Sequence, residues 1–251
     1  GFVANTLYLA ESDYGKRDEK IPGLSIGLWA QYFLDNFATV DEAVRHIRKH
    51  PVQIATGMLG NSGKKAQGHL ALSDAKGDSA IIEYVDGKMR LYHGKQYRVM
   101  TNSPTFDKQL ANLKRYKGFG GTQTLPGTTQ AADRFVRAVF YEQHLPQPHN
   151  TREVVGGVLS VMRNVATPFG KPDPEYPNIA ATQWTSVADS THRIYFFERQ
   201  LSPNIVWIKL DELDFKKGAS ILKFDLAKNL DQVGDVTGDF KPASPFQFLS
   251  P

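Results

Sequence analysis

Asn102 lies where a strand pattern gives way to a helix pattern. Residues Tyr97–Met100 read as a short strand, and the polar corner after it contains Ser103, a capping residue type, and Pro104, which suits the first position of a helix. A carboxamide at such a corner can donate to a developing oxyanion, and the helix N–H groups add positive potential. A turn asparagine that bonds its own backbone explains the same pattern, and local sequence alone favours that simpler role.

Metal and phosphate sites have little support in the sequence. His46 and His50 are four residues apart on one predicted helix, but no HExxH motif and no third ligand accompany them. Cations at a helix C-terminus are favourable in any case. Residues Gly57 to Lys65 approximate a phosphate loop, yet their glycine spacing is one too long and a lysine stands where magnesium needs a hydroxyl. We therefore expect no metal and no cofactor.

The composition narrows the class of protein. The 251 residues are 41% hydrophobic and 22% charged, which is ordinary for a globular chain. Thirty basic and 26 acidic residues give a net charge of +4 with no clustered basic face, so nucleic acid is not an expected partner. No run approaches the roughly 18 apolar residues that a membrane-spanning helix needs. The absence of cysteine excludes a thiol nucleophile within these residues.

Hydrophobic periodicity predicts two blocks of helices and two blocks of strands. Helical spacing appears in Gly23–Phe37, Val40–His50, the stretch after Pro104, Thr129–Leu145 and Thr151–Val165. Thr39 and Glu42 form a capping box for the second of these. Strand patterns cover Gly1–Leu9, Val52–Ala55, His69–Ser73, Ser79–Val85, Lys88–Tyr92, Tyr97–Met100, Thr182–Ala188, Arg193–Glu198, Ile205–Leu210 and Ser220–Leu226. These blocks fit a layered α+β design without an internal repeat.

The chain resembles the choloylglycine hydrolase family, the penicillin V acylases and conjugated bile salt hydrolases among the N-terminal-nucleophile hydrolases. The matching runs keep the family's order: GFVANTLYLAESDY, IGLWAQYFLDNFATVDEAV, TNSPTFDKQL, LPG, RFVRAVF, SVMRNVATPFG and TQWTSVADSTHRIYFF. The resemblance implies a four-layer αββα fold, in which helices sandwich two antiparallel sheets. It also implies a single domain over residues 1–251 that lacks its N-terminal strands.

The resemblance implies a linear amide C–N hydrolase and assigns three residues to its site. In the family, an N-terminal cysteine supplies the thiolate and its own α-amine is the base, with an ordinary pKa of roughly 7.7–8.0. Asn102 matches the asparagine whose amide holds the oxyanion, and Tyr8 matches the residue whose backbone N–H does so. Arg134 matches the active-site arginine. Arg137 is then expected to form a structural or surface pair with another group. From the residues alone, both arginines could equally be solvated.

This chain departs from the family at its start. It begins at Gly1 and contains no cysteine, so we expect the nucleophile to come from an N-terminal segment outside this sequence. Another polypeptide carrying that segment is therefore an expected partner. The 251 residues alone are expected to be inactive, with strands from another chain beside Gly1–Leu9. A catalytically dead family member that binds amphipathic acyl compounds is the alternative.

Tyr8 also bears on the substrate. Bile salt hydrolases tend to have asparagine here and penicillin V acylases tyrosine, so the resemblance favours penicillin V-like phenoxyacyl amides or acyl-homoserine lactones over conjugated bile acids. An aromatic residue packed in a strand is the simpler role for Tyr8. Met58 and Leu59, in the loop before the strand meander, are candidates to line an apolar acyl pocket.

The short gap between Asn102 and Arg134 resembles the Gram-negative branch of the family. Many bile salt hydrolases have a long assembly hairpin in this region, so the usual tetramer contact is in doubt, although a homo-oligomer is still expected. The same resemblance implies a periplasmic location.

Overall fold

The computed structural model describes residues 1–58, 65–170, 180–228 and 231–247, which fall into two compact units, 1–140 and 141–247. Each unit combines helices with a four-stranded sheet. The predicted α+β class is therefore confirmed. That one domain covers the whole chain stays a prediction.

The sheet of the first unit is an antiparallel meander extended by the first strand. Its order is β1-β4-β5-β6, and its strands are β1 (Phe2–Leu7), β4 (His69–Asp74), β5 (Ser79–Val85) and β6 (Lys88–His93). A separate parallel pair consists of β2 (Gly23–Ser25) and β3 (Gln53–Ala55). The helices are α1 (Trp29–Asn36), α2 (Val40–Lys49), α3 (Phe106–Leu113) and α4 (Ala131–Gln143).

One face of this sheet forms the largest apolar core of the unit. Side chains alternate along a strand, so β4 and β5 direct every second residue to the same side. The core draws on both sheet and helices, and it includes the following residues with at most 1% exposure: Leu70, Leu72, Ala80, Ile82, Trp29, Phe33, Val40 and Val44. Helices α1 and α2 supply the last four of these, which explains why their apolar spacing was readable from the sequence.

The capping box at α2 is confirmed in its main part. The side chain of Thr39 accepts a hydrogen bond from the backbone N–H of Glu42 at 3.3 Å, and Glu42 Oε2 accepts from the N–H of Ala38 at 3.0 Å. The helix then ends at Lys49, two residues before Pro51. Local chemistry thus sets both ends of this helix, as predicted.

The opposite face of the sheet packs against α3 and α4. Ile81 of β5, Phe106 of α3 and Phe135 of α4 are each at most 2% exposed and form one cluster. Beside this cluster lies the fully buried carboxylate of Glu83. Both of its oxygens accept from the backbone N–H of Phe106 at 3.1 Å, and Oε1 also bonds His69 Nδ1 at 2.8 Å. A side chain of the sheet therefore holds the first residue of α3.

The second unit places one helix on one face of a mixed sheet. Helix α5 (Thr151–Val165) contributes Val155 and Leu159, which pack against Val187. The sheet has the order β11-β9-β8-β7, with strands β7 (Trp184–Asp189), β8 (Ile194–Arg199), β9 (Ile205–Lys209) and β11 (Gly234–Asp235). β11 runs parallel to β9, so the expectation of a purely antiparallel sheet is wrong at this edge. A small pair joins β10 (Leu222–Lys223) to β12 (Lys241–Pro242).

Three sequence predictions of secondary structure are wrong. Tyr97–Met100 is not a strand, because the hydroxyl of Ser79 bonds the carbonyls of Gly94 and Tyr97 at 2.9 and 3.0 Å in place of a ladder. The strand predicted over Ser220–Leu226 is reduced to the two residues of β10. The helix predicted from Gly23 begins only at Trp29, since the first residues pair with β3 instead.

The start of α3 also differs from the prediction. The N-cap is Thr105 and the first helical residue is Phe106, so Pro104 precedes the helix. Ser103 does not cap it, since its hydroxyl oxygen accepts from the backbone N–H of Ala10 at 3.1 Å. The cap assignment failed because a long-range acceptor, Glu83, satisfies the helix N–H that a local side chain would otherwise hold.

The buried Glu83 contact is expected to dominate the stability of this unit. Glu83→Ala leaves the N–H of Phe106 and His69 Nδ1 buried without their acceptor, so the free energy of unfolding should fall by about 3–5 kcal/mol. Urea denaturation measures it. The control is Arg45→Ala, which removes an exposed ion pair with Asp41 and should cost less than about 1 kcal/mol. Equal losses in the two variants would contradict the assignment.

Candidate active site

The carboxamide of Asn102 joins two other predicted site residues. Its Nδ2 donates to the backbone carbonyl of Tyr8 at 2.8 Å, and its Oδ1 accepts from Arg134 Nη2 at 2.8 Å. Because the two ends of the amide have partners of opposite polarity, its orientation is set. The structure thus brings together Asn102, Tyr8 and Arg134, which lie far apart in the chain.

Tyr8 lies just beyond the end of β1. The pairing of β1 with β4 ends at Leu7 opposite His69, so the backbone N–H of Tyr8 lies outside the strand register. Its side chain is 49% exposed. The simpler role, an aromatic residue packed in a strand, does not fit, because Tyr8 follows the strand and is exposed.

Arg134 is half-buried on α4 and faces Asn102. Its Nε donates to the carbonyl of Thr129 at 2.9 Å, which leaves Nη2 directed to the Asn102 oxygen. Burial lowers the pKa of the Arg134 guanidinium from its ordinary value, and the positive charge of Arg137 lowers it further. A guanidinium nevertheless stays protonated in proteins. Arg134 therefore supplies a fixed positive charge to this site, and a fully solvated role for it is wrong.

Arg137 has a different environment from Arg134. It is 8% exposed, and its Nη1 donates to the carbonyls of Pro126 and Thr128 at 3.1 and 2.7 Å. These contacts tie the loop before α4 to that helix. The structural alternative predicted for Arg137 fits this environment, whereas the surface alternative does not.

Met58, one of the two predicted acyl-pocket residues, does not line the cavity found in the described part of the first unit. Met58 is 55% exposed and forms an isolated bridge with Lys65, while Leu59 lies outside the described residues. A cavity of about 290 Å³ lies elsewhere in the first unit, and its lining includes Asn5, Ala71, Ser79, Arg98 and Met100. Met58, Tyr8 and Asn102 are not part of that lining.

Sequence reasoning missed two polar residues behind Asn102. Gln109 of α3 is 1% exposed, and its Nε2 donates to the Asn102 carbonyl and to Thr101 Oγ1, both at 3.2 Å. Thr101 Oγ1 in turn donates to the carbonyl of Ala131 at 2.9 Å. The available signal was a glutamine at an inward position of an apolar helix face, three residues after Phe106.

Metal ligation has no clear location in the described parts of the chain. Within them, no group of three or more His, Cys, Asp or Glu side chains comes together. His46 and His50 stack with ring centroids 4.9 Å apart, and His46 Nε2 hydrogen-bonds the hydroxyl of Tyr32 at 3.2 Å. Among the same described residues, no helix is both long and apolar enough to cross a membrane.

The chain is similar in sequence to known amide hydrolases. Residues 1–230 match the sequence profile of the linear amide C–N hydrolases, choloylglycine hydrolase family. A penicillin V acylase of Pectobacterium atrosepticum is 45% identical over 99% of this chain and 70% of its own length. A bile salt hydrolase/transferase of Clostridium perfringens is 25% identical over 78% of this chain and 64% of its own.

Solved structures extend the likeness to the fold. The penicillin V acylase of Agrobacterium tumefaciens has a TM-score of 0.88 at 49% identity, over 100% of this chain and 77% of that one. A mutant of the conjugated bile acid hydrolase from Clostridium perfringens has a TM-score of 0.71 at 22% identity, over 100% of this chain and 76% of that one, and shows the fold alone. The N-terminal-nucleophile hydrolase fold predicted from the sequence is thereby confirmed. The chain belongs to the choloylglycine hydrolase family of linear amide C–N hydrolases.

Proposed function

We propose that this chain supplies the oxyanion-binding side of an acylase that hydrolyses the non-peptide C–N bond of penicillin V-like phenoxyacyl amides. The observation that carries the proposal is the Asn102 carboxamide held between the Tyr8 carbonyl and the Arg134 guanidinium. An N-terminal cysteine outside the 251 residues, absent from this sequence, is the proposed nucleophile. Acyl-homoserine lactones and conjugated bile acids are the other substrate classes to be compared.

Asn102 has the donor that an oxyanion needs. A primary carboxamide carries two N–H groups, and one of them bonds the Tyr8 carbonyl. The second is the proposed donor to the carbonyl oxygen of the scissile amide as that oxygen gains negative charge. The backbone N–H of Tyr8, which lies beyond the strand register, is the proposed second donor. Donors that are fixed before the reaction stabilise the transition state without reorganisation.

Arg134 strengthens the Asn102 donor in this mechanism. Its guanidinium bonds Asn102 Oδ1 and withdraws electron density from the amide, which makes the amide N–H groups better donors. Its charge also favours the thiolate over the thiol. Arg134 thus acts on both the nucleophile and the oxyanion without touching the scissile bond.

The proposed reaction has two steps. The cysteine thiolate attacks the amide carbon, its α-amine carries the thiol proton to the leaving amine, and the C–N bond breaks to leave a thioester. Water, deprotonated by the same amine, then attacks the thioester and releases the carboxylic acid and the thiol. The net change is addition of one water across the amide.

The substrate preference rests on Tyr8 and on the relatives. Tyr8 is 49% exposed and its backbone carbonyl bonds the Asn102 amide, and we propose that its ring offers a flat surface to a phenoxy group. The penicillin V acylases compared are 45% and 49% identical to this chain, and the bile acid enzymes 25% and 22%. Both facts favour a phenoxyacyl amide over a steroid amide.

The compartment and assembly are proposed from the resemblance alone. We assign the protein to the periplasm and to a homo-oligomer, as for Gram-negative members of the family. Fractionation of cells that express the gene from its own start codon measures the first, and light scattering of the purified protein measures the second.

Asn102→Ala is expected to lower kcat for penicillin V by about a hundredfold or more, because one oxyanion donor is lost. The assay uses the enzyme that carries the cysteine segment. Asn36→Ala is the matched control, since Asn36 Nδ2 also donates to a backbone carbonyl, that of Tyr32 at 2.7 Å, on a helix remote in sequence. Turnover near that of the unmodified enzyme in Asn102→Ala would return Asn102 to the role of a turn residue.

Arg134→Lys is expected to lower kcat because a point charge does not reproduce a planar fork that bonds Thr129 and Asn102 together. Arg137→Lys is the comparison, and it should lower thermal stability with little change in kcat per folded molecule. Steady-state kinetics and thermal melts measure the two effects. Full activity of Arg134→Lys would contradict the proposed role.

The 251 residues alone are expected to show no hydrolysis of penicillin V or of an acyl-homoserine lactone, because they contain no thiol nucleophile. Within the described residues, β1 pairs only with β4, so its second edge is open to a strand from another polypeptide. Adding a polypeptide with the N-terminal cysteine should restore turnover. Turnover by the isolated monomer that resists thiol reagents would contradict the proposal and favour a different nucleophile. Binding of acyl compounds without turnover in the combined enzyme would favour the catalytically dead alternative.

A further inference from the structure

Gln109 is a buried polar residue on the inner face of α3. Its side chain is 1% exposed, at the inner face that also carries Phe106. Its Nε2 donates to the carbonyl of Asn102 and to the hydroxyl oxygen of Thr101, at 3.2 Å each. The buried amide therefore bonds the backbone of the residue whose side chain forms the site.

The burial of Gln109 has a cost that packing does not explain. Its Oε1 is buried and has no hydrogen-bond partner among the described residues. A buried polar atom left unpaired costs about 1–3 kcal/mol. Leucine or methionine would fill a similar volume without that cost. Compared with an apolar side chain of similar volume, Gln109 gains only the two hydrogen bonds that its Nε2 donates.

The bonds of Gln109 hold the backbone of Asn102, which the contacts of the Asn102 side chain do not hold. The carboxamide is fixed at both ends by Tyr8 and Arg134, but its distance from them depends on the backbone that carries it. Gln109 Nε2 fixes the carbonyl of Asn102 relative to α3. Thr101, which accepts from the same nitrogen, bonds α4 through the carbonyl of Ala131. The backbone of Asn102 is thereby tied to both helices.

Other contacts hold the same corner at different points. Glu83 holds the N–H of Phe106, four residues beyond Asn102, and Ser103 bonds the N–H of Ala10. These contacts set where α3 begins and where the chain meets the end of β1. Among the contacts of the described residues, that of Gln109 reaches the Asn102 carbonyl itself.

We propose that Gln109 is a positioning residue for the hydrolysis, and that it acts by holding the backbone of Asn102 so that the carboxamide meets the oxyanion. This inference rests on the proposed function, in which Asn102 is an oxyanion donor. Gln109 does not touch the substrate. Small errors in the placement of a catalytic group reduce the rate steeply, so a distant amide can matter to kcat.

The test compares Gln109→Leu and Gln109→Met in the enzyme that carries the cysteine segment. Each variant should lower kcat for penicillin V on the order of tenfold, with KM changed by less than about twofold, because the oxyanion donor acts in the transition state. Rates are normalised to the folded fraction measured by near-ultraviolet circular dichroism. Gln31→Leu is the matched control, since Gln31 is also a helical glutamine with a side-chain bond, to Asp35 at 2.7 Å. The methionine variant serves if the branched leucine prevents folding.

A double-mutant cycle with Asn102→Ala separates positioning from general stability. If Gln109 acts through the Asn102 side chain, the Gln109 substitution should cause no further loss of kcat in the Asn102→Ala enzyme. The same tenfold loss in both backgrounds, or no loss in the single variants, overturns the inference and leaves the role of Asn102 intact. An unchanged kcat in Asn102→Ala overturns the proposed oxyanion role and this inference together.

Discussion

The site depends on the hydrogen bonds that the buried carboxylate of Glu83 accepts from the first N–H of α3. A helix N-terminus leaves its first backbone N–H groups without partners inside the helix. Here the backbone N–H of Phe106 donates to a side chain of the sheet, that of Glu83. His69 Nδ1 hydrogen-bonds the same carboxylate at 2.8 Å, so the buried carboxylate has partners on both the sheet and the helix. This contact fixes where α3 starts, and Asn102 lies four residues before its first residue, Phe106.

Hydrogen bonds from three parts of the chain converge on residues 101–103. In the segment just after β1, the carbonyl of Tyr8 accepts from the Asn102 carboxamide and the N–H of Ala10 donates to Ser103. Helix α4 makes two of these hydrogen bonds. Arg134 donates to the Asn102 side chain, and the carbonyl of Ala131 accepts from the Thr101 hydroxyl. Helix α3 bonds it through Gln109. A segment without regular secondary structure is therefore held by several long-range hydrogen bonds, which favours a preorganised donor.

The two arginines of α4 show how one helix serves two purposes. Arg134 and Arg137 are three residues apart and both are removed from bulk water, yet their partners differ. Arg134 gives one of its bonds to the Asn102 side chain, whereas Arg137 bonds backbone carbonyls of the preceding loop. The charge at the site is thus one guanidinium, and the other holds the loop that leads into the helix.

Local signals in the sequence determined the helices and strands whose ends depend on neighbouring residues, such as α2 with its Thr39 cap and β5 with its apolar run. The ordered motifs predicted the family, and they singled out Tyr8, Asn102 and Arg134 as candidate site residues. Tertiary structure alone decided that Tyr97–Met100 is not a strand and that α3 begins after Thr105 without a cap from Ser103. The reason is that Ser79, Glu83 and Ala10 supply the hydrogen-bond partners from distant positions. Only the tertiary structure showed that Gln109 is buried and bonds the backbone of Asn102. The burial and hydrogen bonds of a glutamine on a helix depend on how the rest of the chain packs around it.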